Sequence, residues 1–244
     1  MQTLKIIFFT HRCNHGLEIL KSLKKNNIPI SVIFIEMGSD INPLIKGLKL
    51  ITPNFCINLL RKIRGAPLLT QWENIKTYYG YCKEVKTIKN FNDLDFKKKL
   101  DVLKPDLIIL GGARIIKQHI IETAKIGILN AHPGILPKYR GVDVIPWAIY
   151  NRDDVGVSVH FVDSGVDTGQ ICLTQIIPIK TGDTLQSLSQ KAEETAGKLM
   201  AEVVKEIMNK GHTKTVSNNK NSGKQYYKMD EMTLKETQNI LKQL

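Results

Sequence analysis

The stretch from Asp106 to Gly141, DLIILGGARIIKQHIIETAKIGILNAHPGILPKYRG, decides the fold. DLIIL, entered after Pro105, is a short continuous apolar run of the kind buried on both faces of a parallel sheet, and Gly111-Gly112 ends it. Arg114 to Thr123 predicts a brief helix, and Gly127 to Asn130 opens the next strand. From Asn130 to Gly141 two prolines and two glycines forbid regular structure and impose a shaped loop at the carboxyl end of that strand. Open α/β sheets bind their ligands at that end.

Working outward, Leu4 to Phe9 reads as a strand and Thr10 to Gly16 as a loop; Leu17, Leu20 and Leu23 then recur at helical spacing. Ile30 to Ile35 predicts a second strand. The segment Ile41 to Tyr81, with Pro43, Pro53 and Pro67, predicts helix plus irregular connection. Val85 to Ile88 reads as a short strand and Asn92 to Leu103 as a helix. Downstream, Val142 to Tyr150 predicts a helix. Val155, Val157, Val159 and Phe161 alternate with polar or small residues, which predicts a half-exposed strand. The turn DSGVDTG, Asp163 to Gly169, leads into a returning strand, Ile171 to Ile179. Asp183 or Thr184 then caps a helix whose Leu185, Leu188, Ala192, Ala196, Leu199, Val203 and Ile207 share one face. Strands alternating with helices imply an α/β fold, a mainly parallel sheet wound by right-handed crossovers. After Gly211 the sequence turns to Thr, Asn, Lys, Ser and Gly, which reads as an exposed connection before an amphipathic Thr233 to Leu244. Residues 1–210 are therefore expected to form one domain and residues 211–244 a short C-terminal appendage.

Composition narrows the function classes. With 244 residues, 42% hydrophobic and 24% charged, the chain matches a folded globular protein and not a disordered or fibrous one. Its longest apolar stretches fall short of the roughly 20 residues a bilayer span needs, and the N-terminus carries no signal-peptide pattern, so no membrane partner is expected. Cys13, Cys56, Cys82 and Cys172 stand apart without a CxxC pair, which predicts free thiols and a cytoplasmic location. The net charge of +12 comes from 35 basic against 23 acidic residues, with lysines scattered as in Lys21 to Asn27 and Phe96 to Leu100. Without an arginine stripe and interleaved aromatics, this predicts a solvated surface and no nucleic-acid partner. His11, Cys13 and His15 in HRCNH offer soft ligands but lack an evident fourth, so no metal is expected.

Asn130 and His132 lie two apart on a strand and therefore share a face. A hairpin-like return through the Val155 to Val162 strand is expected to bring Asp167 beside them, in preference to Asp163, which precedes the turn and shapes it, so that an amide, an imidazole and a carboxylate converge. That set suits attack on a carbonyl: the amide N–H stabilises the developing oxyanion, the imidazole moves a proton, and the carboxylate fixes its tautomer and favours its charged form. Neither Ser158 nor Ser164 lies in a G-x-S-x-G elbow, so the nucleophile is expected to be a substrate's own amine.

NAHPGILPKYRG followed by VDSGVDTGQI resembles the signature of the 10-formyltetrahydrofolate-dependent formyltransferase family, with Ile135 standing for the first Leu of its Leu-Leu-Pro. The similarity extends through LGGARIIKQHII and covers roughly residues 80 to 200. It implies a Rossmann-like fold and the catalytic set Asn130, His132 and Asp167. It also implies 10-formyltetrahydrofolate as co-substrate, its pterin hydrogen-bonded by main chain at Ala113, Arg114 and Ile115, with Gly112, Leu136 and Asp163 completing that site. THRCNHG departs from the Gly-Ser-Asn phosphate loop of the glycinamide ribonucleotide enzymes, and residues after 210 are too few for the RNA-binding domain of methionyl-tRNA formyltransferases. The resemblance therefore favours sugar N-formyltransferases acting on nucleotide-linked 4-amino-4,6-dideoxy sugars for surface polysaccharide such as O-antigen. A dTDP-4-amino-4,6-dideoxyglucose substrate and a homodimer are expected. Arg12, His15, Pro133, Lys138, Tyr139, Arg140, Trp147, Lys224 and Tyr226 are the candidate substrate contacts.

Overall fold

In the computed structural model, residues 3–37 and 75–243 are described; most of the expected helix-plus-irregular segment Ile41 to Tyr81 lies outside them. The elements run β1 (Ile6–Thr10), α1 (Asn14–Lys25), β2 (Val32–Glu36), β3 (Val85–Ile88), α2 (Leu94–Leu103), β4 (Leu107–Gly111), α3 (Gln118–Ile121), β5 (Gly127–His132), β6 (Tyr139–Gly141), α4 (Val144–Tyr150), β7 (Val155–Phe161), β8 (Ile171–Ile177), α5 (Leu185–Lys210), β9 (Lys224–Tyr226) and α6 (Glu231–Leu241). Seven strands form one sheet in the order β3-β2-β1-β4-β5-β7-β8, parallel as far as β5 and antiparallel from β5 through β8. This is the Rossmann-like α/β architecture. Among the described residues no helix is long and apolar enough to cross a membrane.

The apolar runs in β1, β2 and β4 are buried throughout because helices cover both faces. Alternate residues serve opposite cores. Ile6, Phe8, Leu107, Ile109 and Leu129 pack with α1, α4 and α5, whereas Ile7, Phe9, Ile108 and Ile128 pack with α2 and α3. Phe9 stacks on Phe91 at 4.5 Å between centroids, and Phe34 meets Phe96 edge-on at 4.9 Å. Such pairs add about 0.5–1.5 kcal/mol each beyond area burial. Gly16 lies inside α1 and not in a preceding loop, because the helix passes so close to β4 that a Cβ there would lie 2.6 Å from the Gly111 carbonyl oxygen. At α5 the Thr184 hydroxyl accepts the Ser187 N–H, and the Ser187 hydroxyl accepts the Thr184 N–H, closing a capping box.

Two expectations change. β7 is not half-exposed: Gly156, Ser158 and His160 are as buried as the valines between them. The 133–137 loop folds over that face, with Ile135 against Gly156 and the Leu136 N–H donated to Ser158 Oγ at 3.0 Å. The helix expected from Arg114 shrinks to four residues, because Asn92 holds the preceding main chain in irregular form, its Oδ1 accepting the Lys117 N–H at 2.7 Å.

Residues 212–223 are largely exposed, but the chain beyond them packs back onto the Asn130 to Gly141 loop. β9 pairs in parallel with β6, Tyr226 stacks on Tyr139 at 5.0 Å, and the Trp147 indole N–H donates to the Tyr227 carbonyl at 2.8 Å. The Met229 N–H donates to Asp143, and α6 rests on α4.

Candidate active site

β1 is flanked by β2 on one side and β4 on the other, so the chain leaves these strands in opposite directions and opens a crevice at their carboxyl ends. A cleft of about 410 Å³ lies beside it, at the carboxyl ends of β4 and β5. Its walls are Leu110 and the Ala113–Ile116 segment, the Asn130 and His132 end of β5, the Asp163 to Asp167 turn, and Tyr226 and Tyr227 from the tail.

The pairing of β5 with β7 sets Asn130 opposite His160 and His132 opposite Ser158. Cross-strand partners share a face, so His160 joins the site beside the expected three residues. Sequence reasoning missed it. The available signal was the alternation of β7 itself, which places His160 among the residues that face away from the valines.

His132 is 3% exposed, and its Nε2 lies 2.8 Å from the Tyr139 carbonyl oxygen. A carbonyl only accepts, so Nε2 carries the proton and Nδ1 is the basic nitrogen in the neutral ring. Nδ1 faces Asp167 Oδ2 at 3.5 Å. The tautomer is thus held by a main-chain carbonyl and not, as the residue types implied, by the carboxylate. Asp167 is left to stabilise the cation that forms when Nδ1 takes a proton. Burial lowers the His132 pKa below the usual histidine value; Asp167 and the Tyr139 carbonyl oppose that, and His160 adds to it. Burial would raise the Asp167 pKa, but His160, His132 and the Gly141 N–H outweigh it and bring it to about 2. The Gly141 N–H donates to Oδ2 at 2.9 Å, and Asn218 holds the turn through the Asp167 and Gly169 carbonyls. Asp167 itself sits at φ +52°, a left-handed conformation Asp tolerates better than most residues.

His160 Nδ1 lies 2.7 Å from the Phe161 carbonyl, which makes Nε2 an acceptor in the neutral ring, and the Asn130 amide donates to it at 3.2 Å; Asp167 Oδ1 stands 3.6 Å from the same nitrogen and gains from it only when the ring is protonated. One N–H of Asn130 is thereby held, and the side chain keeps a second N–H for the cleft it lines. Replacing His160 with Phe is expected to lower any turnover that depends on Asn130 roughly tenfold, the effect of one lost orienting hydrogen bond, with little change in ligand affinity. Unchanged turnover would show that Asn130 needs no such support.

Of the other candidates, Ala113, Arg114, Ile115, Asp163 and Tyr226 line the cleft. Two main-chain groups expected to meet a ligand are engaged elsewhere: the Arg114 N–H donates to His11 Nε2 at 3.2 Å, and the Ile115 carbonyl accepts from Asn92 at 2.9 Å. Gly112 adopts φ +76° against the Cys13 sulfur, and Leu136 is buried, so both shape the walls without lining them. Tyr139 is 1% exposed and outside the cleft lining, its hydroxyl taken up by Asp153 and Asn151. The Lys138 ammonium pairs with Asp153 at 2.7 Å, and the Arg140 guanidinium donates to the Lys220 and Gly223 carbonyls. Lys138, Arg140, Lys224, Pro133 and Trp147 stand outside the cleft lining, with Trp147 packed on Tyr226 and Tyr150 and the Lys224 ammonium over the Tyr226 ring. Arg12 belongs to the turn between β1 and α1, and His15 lies in the first turn of α1; His15 hydrogen-bonds the Ala131 main chain, and burial, with His132 nearby, lowers its pKa to about 4. Among the described residues no cluster of three His, Cys, Asp or Glu side chains could hold a metal.

The Formyl transferase family model matches residues 66–204, more than half of the chain. A methionyl-tRNA formyltransferase of Koribacter versatilis (strain Ellin345) is 37% identical over 115 residues, 46% of this chain and 37% of that protein. The aligned region spans less than half the length of such curated relatives. The formyltransferase PseJ from Anoxybacillus kamchatkensis, solved with UDP-4,6-dideoxy-4-formamido-L-AltNAc and tetrahydrofolate, superposes with a TM-score of 0.50 at 25% identity, covering 64% of this chain and 80% of that one. A 4-N formyltransferase from Francisella tularensis shares the fold over 98% of this chain and 86% of its own, with a TM-score of 0.64 at 17% identity. On the family match and the convergence of Asn130, His132 and Asp167 on one cleft, the chain belongs to the formyl transferase family.

Proposed function

We propose that this protein transfers a formyl group from 10-formyltetrahydrofolate to the amine of a nucleotide-linked amino sugar, with dTDP-4-amino-4,6-dideoxyglucose the first substrate to test. The observation that carries the reaction class is the grouping of an amide N–H, a basic imidazole nitrogen and an ionised carboxylate at one end of a cleft. The remainder of that cleft fits the co-substrate. Its size is that of a small-molecule site, and its wall combines apolar Leu110, Ile115, Ile116 and Val162 with main chain and the Asp163 carboxylate, a set suited to a flat, nitrogen-rich ring. The co-substrate supplies an activated formyl carbonyl.

The protein's own groups do the rest. Asn130 donates its amide N–H to the formyl oxygen as negative charge develops there, an effect worth roughly 10²–10³ in rate. His132 Nδ1 receives the proton that the attacking amine loses, and Asp167 stabilises the resulting imidazolium. The same proton is then available to the departing nitrogen. Holding both substrates in register contributes up to about 7–11 kcal/mol in favourable cases. We assign the chemistry to residues 1–210, with the appendage, residues 211–244, bracing the loop and turn that carry His132 and Asp167.

The sugar substrate is supported by the likeness to PseJ, whose complex holds a formamido sugar nucleotide, and by the departure of THRCNHG from a Gly-Ser-Asn phosphate loop. Methionyl-tRNA is the second reading, favoured by the names of the curated relatives. Purified protein incubated with 10-formyltetrahydrofolate and a panel of amines decides between them. The panel is dTDP- and UDP-linked 4-amino sugars, glycinamide ribonucleotide and methionyl-tRNA. A mass gain of one formyl group on a nucleotide sugar is the expected result; formylation of methionyl-tRNA alone would replace the substrate, and no product at all would overturn the activity.

A further inference from the structure

The end of β1 and the HRCNH stretch after it take no part in the chemistry above, yet their side chains converge on the segment that leaves β4. The Thr10 hydroxyl donates to the Gly111 carbonyl at 2.8 Å, the Cys13 sulfur lies 3.3 Å from the same oxygen, and His11 Nε2 accepts the Arg114 N–H at 3.2 Å. From another side, Asn92 uses both ends of its amide on the same segment. Its Nδ2 donates to the Ile115 carbonyl at 2.9 Å and its Oδ1 accepts the Lys117 N–H at 2.7 Å. Successive main-chain groups of an irregular stretch are therefore set by side chains from two other loops. An irregular stretch lacks the ladder of a strand or helix, so its shape rests on such contacts.

We propose that His11 and Asn92 are positioning residues that clamp the Ala113–Ile116 wall of the cleft, presenting a preset main chain to the pterin end of the folate. The proposal rests on the reading that this wall receives the co-substrate. His11 can serve only while its Nε2 is unprotonated. The groups facing it are Glu36 at the end of β2, whose Oε2 lies 3.8 Å away, Arg114 beyond β4, and Arg12 in its own turn; the edge of the Phe91 ring completes the surround. The Glu36 carboxylate is buried and held by the Phe91 N–H at 3.0 Å. Burial lowers the His11 pKa, the two arginines add to that, and Glu36 opposes it, leaving the ring neutral at neutral pH with its lone pair on Arg114. As pH falls below the ordinary histidine range, Nε2 takes a proton, repels the Arg114 N–H and turns its charge to Glu36. The clamp opens with acid.

The test uses 5-formyltetrahydrofolate as probe, with dTDP-4-amino-4,6-dideoxyglucose binding measured in parallel. His11→Leu, which removes the acceptor, is expected to raise the Kd for the folate about tenfold, the effect of one lost hydrogen bond, without moving the Kd for the sugar nucleotide. His11→Gln places an amide oxygen near the position of Nε2 and should stay within about threefold of wild type. Asn92→Ala should weaken folate binding in the same direction as His11→Leu. In ¹⁵N-labelled free protein the Arg114 amide signal should titrate below pH 6.5 in wild type and lose that titration in His11→Gln. Three results would overturn the proposal: folate binding by His11→Leu equal to wild type, equal losses for folate and sugar nucleotide, or an Arg114 amide indifferent to His11. Wild-type protein that binds no folate would overturn the reading of the cleft itself, and the clamp's purpose with it.

Discussion

His132→Asn is expected to lower turnover by roughly 10²–10⁴, the range for loss of a positioned general base, while leaving the affinities for folate and sugar nucleotide close to wild type. The ring is buried, and the carbonyl of Tyr139 holds its Nε2 proton, so Nδ1 is the atom that must accept. Asparagine retains polarity but offers no base at that position. The pH profile carries the finer test. Because burial lowers the His132 pKa in the free protein, the basic form is already dominant at neutral pH, and kcat/KM should rise with pH only below the ordinary histidine range and then stay level. Asp167 raises that pKa through its charge, so Asp167→Asn should shift the acid limb to lower pH and also depress the plateau, since the imidazolium loses its counter-charge. Near-normal turnover in His132→Asn would remove His132 from the mechanism, and an acid limb displaced upward in Asp167→Asn would reverse the assigned electrostatics.

Gly141→Ala is expected to cost stability and activity together. Gly141 holds φ +99°, which L side chains rarely adopt, and a Cβ there would fall within contact distance of the Tyr226 carbonyl oxygen in the adjoining β9. Strained backbone of this kind costs about 1–3 kcal/mol, and the forced separation of β6 from β9 adds to it, for a total of roughly 3 kcal/mol or more. The same residue donates its N–H to Asp167, so moving it also loosens the carboxylate that faces His132. Urea denaturation should show a lower midpoint with a similar slope, and kcat measured well below that midpoint should fall. A variant with wild-type stability and turnover would mean that the tail and the catalytic turn are not coupled through this glycine.

Much of the architecture was legible residue by residue. Apolar runs such as Ile6 to Phe9 and Leu107 to Leu110 have no solvent-facing alternation, which permits only a doubly covered sheet, and the spacing of Leu188, Ala192, Ala196, Leu199 and Val203 admits one helical face. Asn130 and His132 declared a shared face through the two-residue period of a strand. β7 misled because alternation of valine with Gly, Ser and His looks like a solvent-facing edge, whereas the Pro-rich loop that covers its second face comes from elsewhere in the chain. Contacts made by main-chain groups were also invisible, since a carbonyl such as that of Tyr139 carries no trace of residue identity, and neither does the Arg114 N–H that His11 accepts. The pairing of β6 with β9, and so the stacking of Tyr226 on Tyr139 beside the cleft, depends on where a long polar connection returns. Local periodicity and turn chemistry are properties of neighbouring residues, and these the sequence determined by itself. Which nitrogen of His132 is basic, which histidine holds Asn130, and which side chains hydrogen-bond the main chain after β4 depend on groups distant in the chain, and only the tertiary structure decided them.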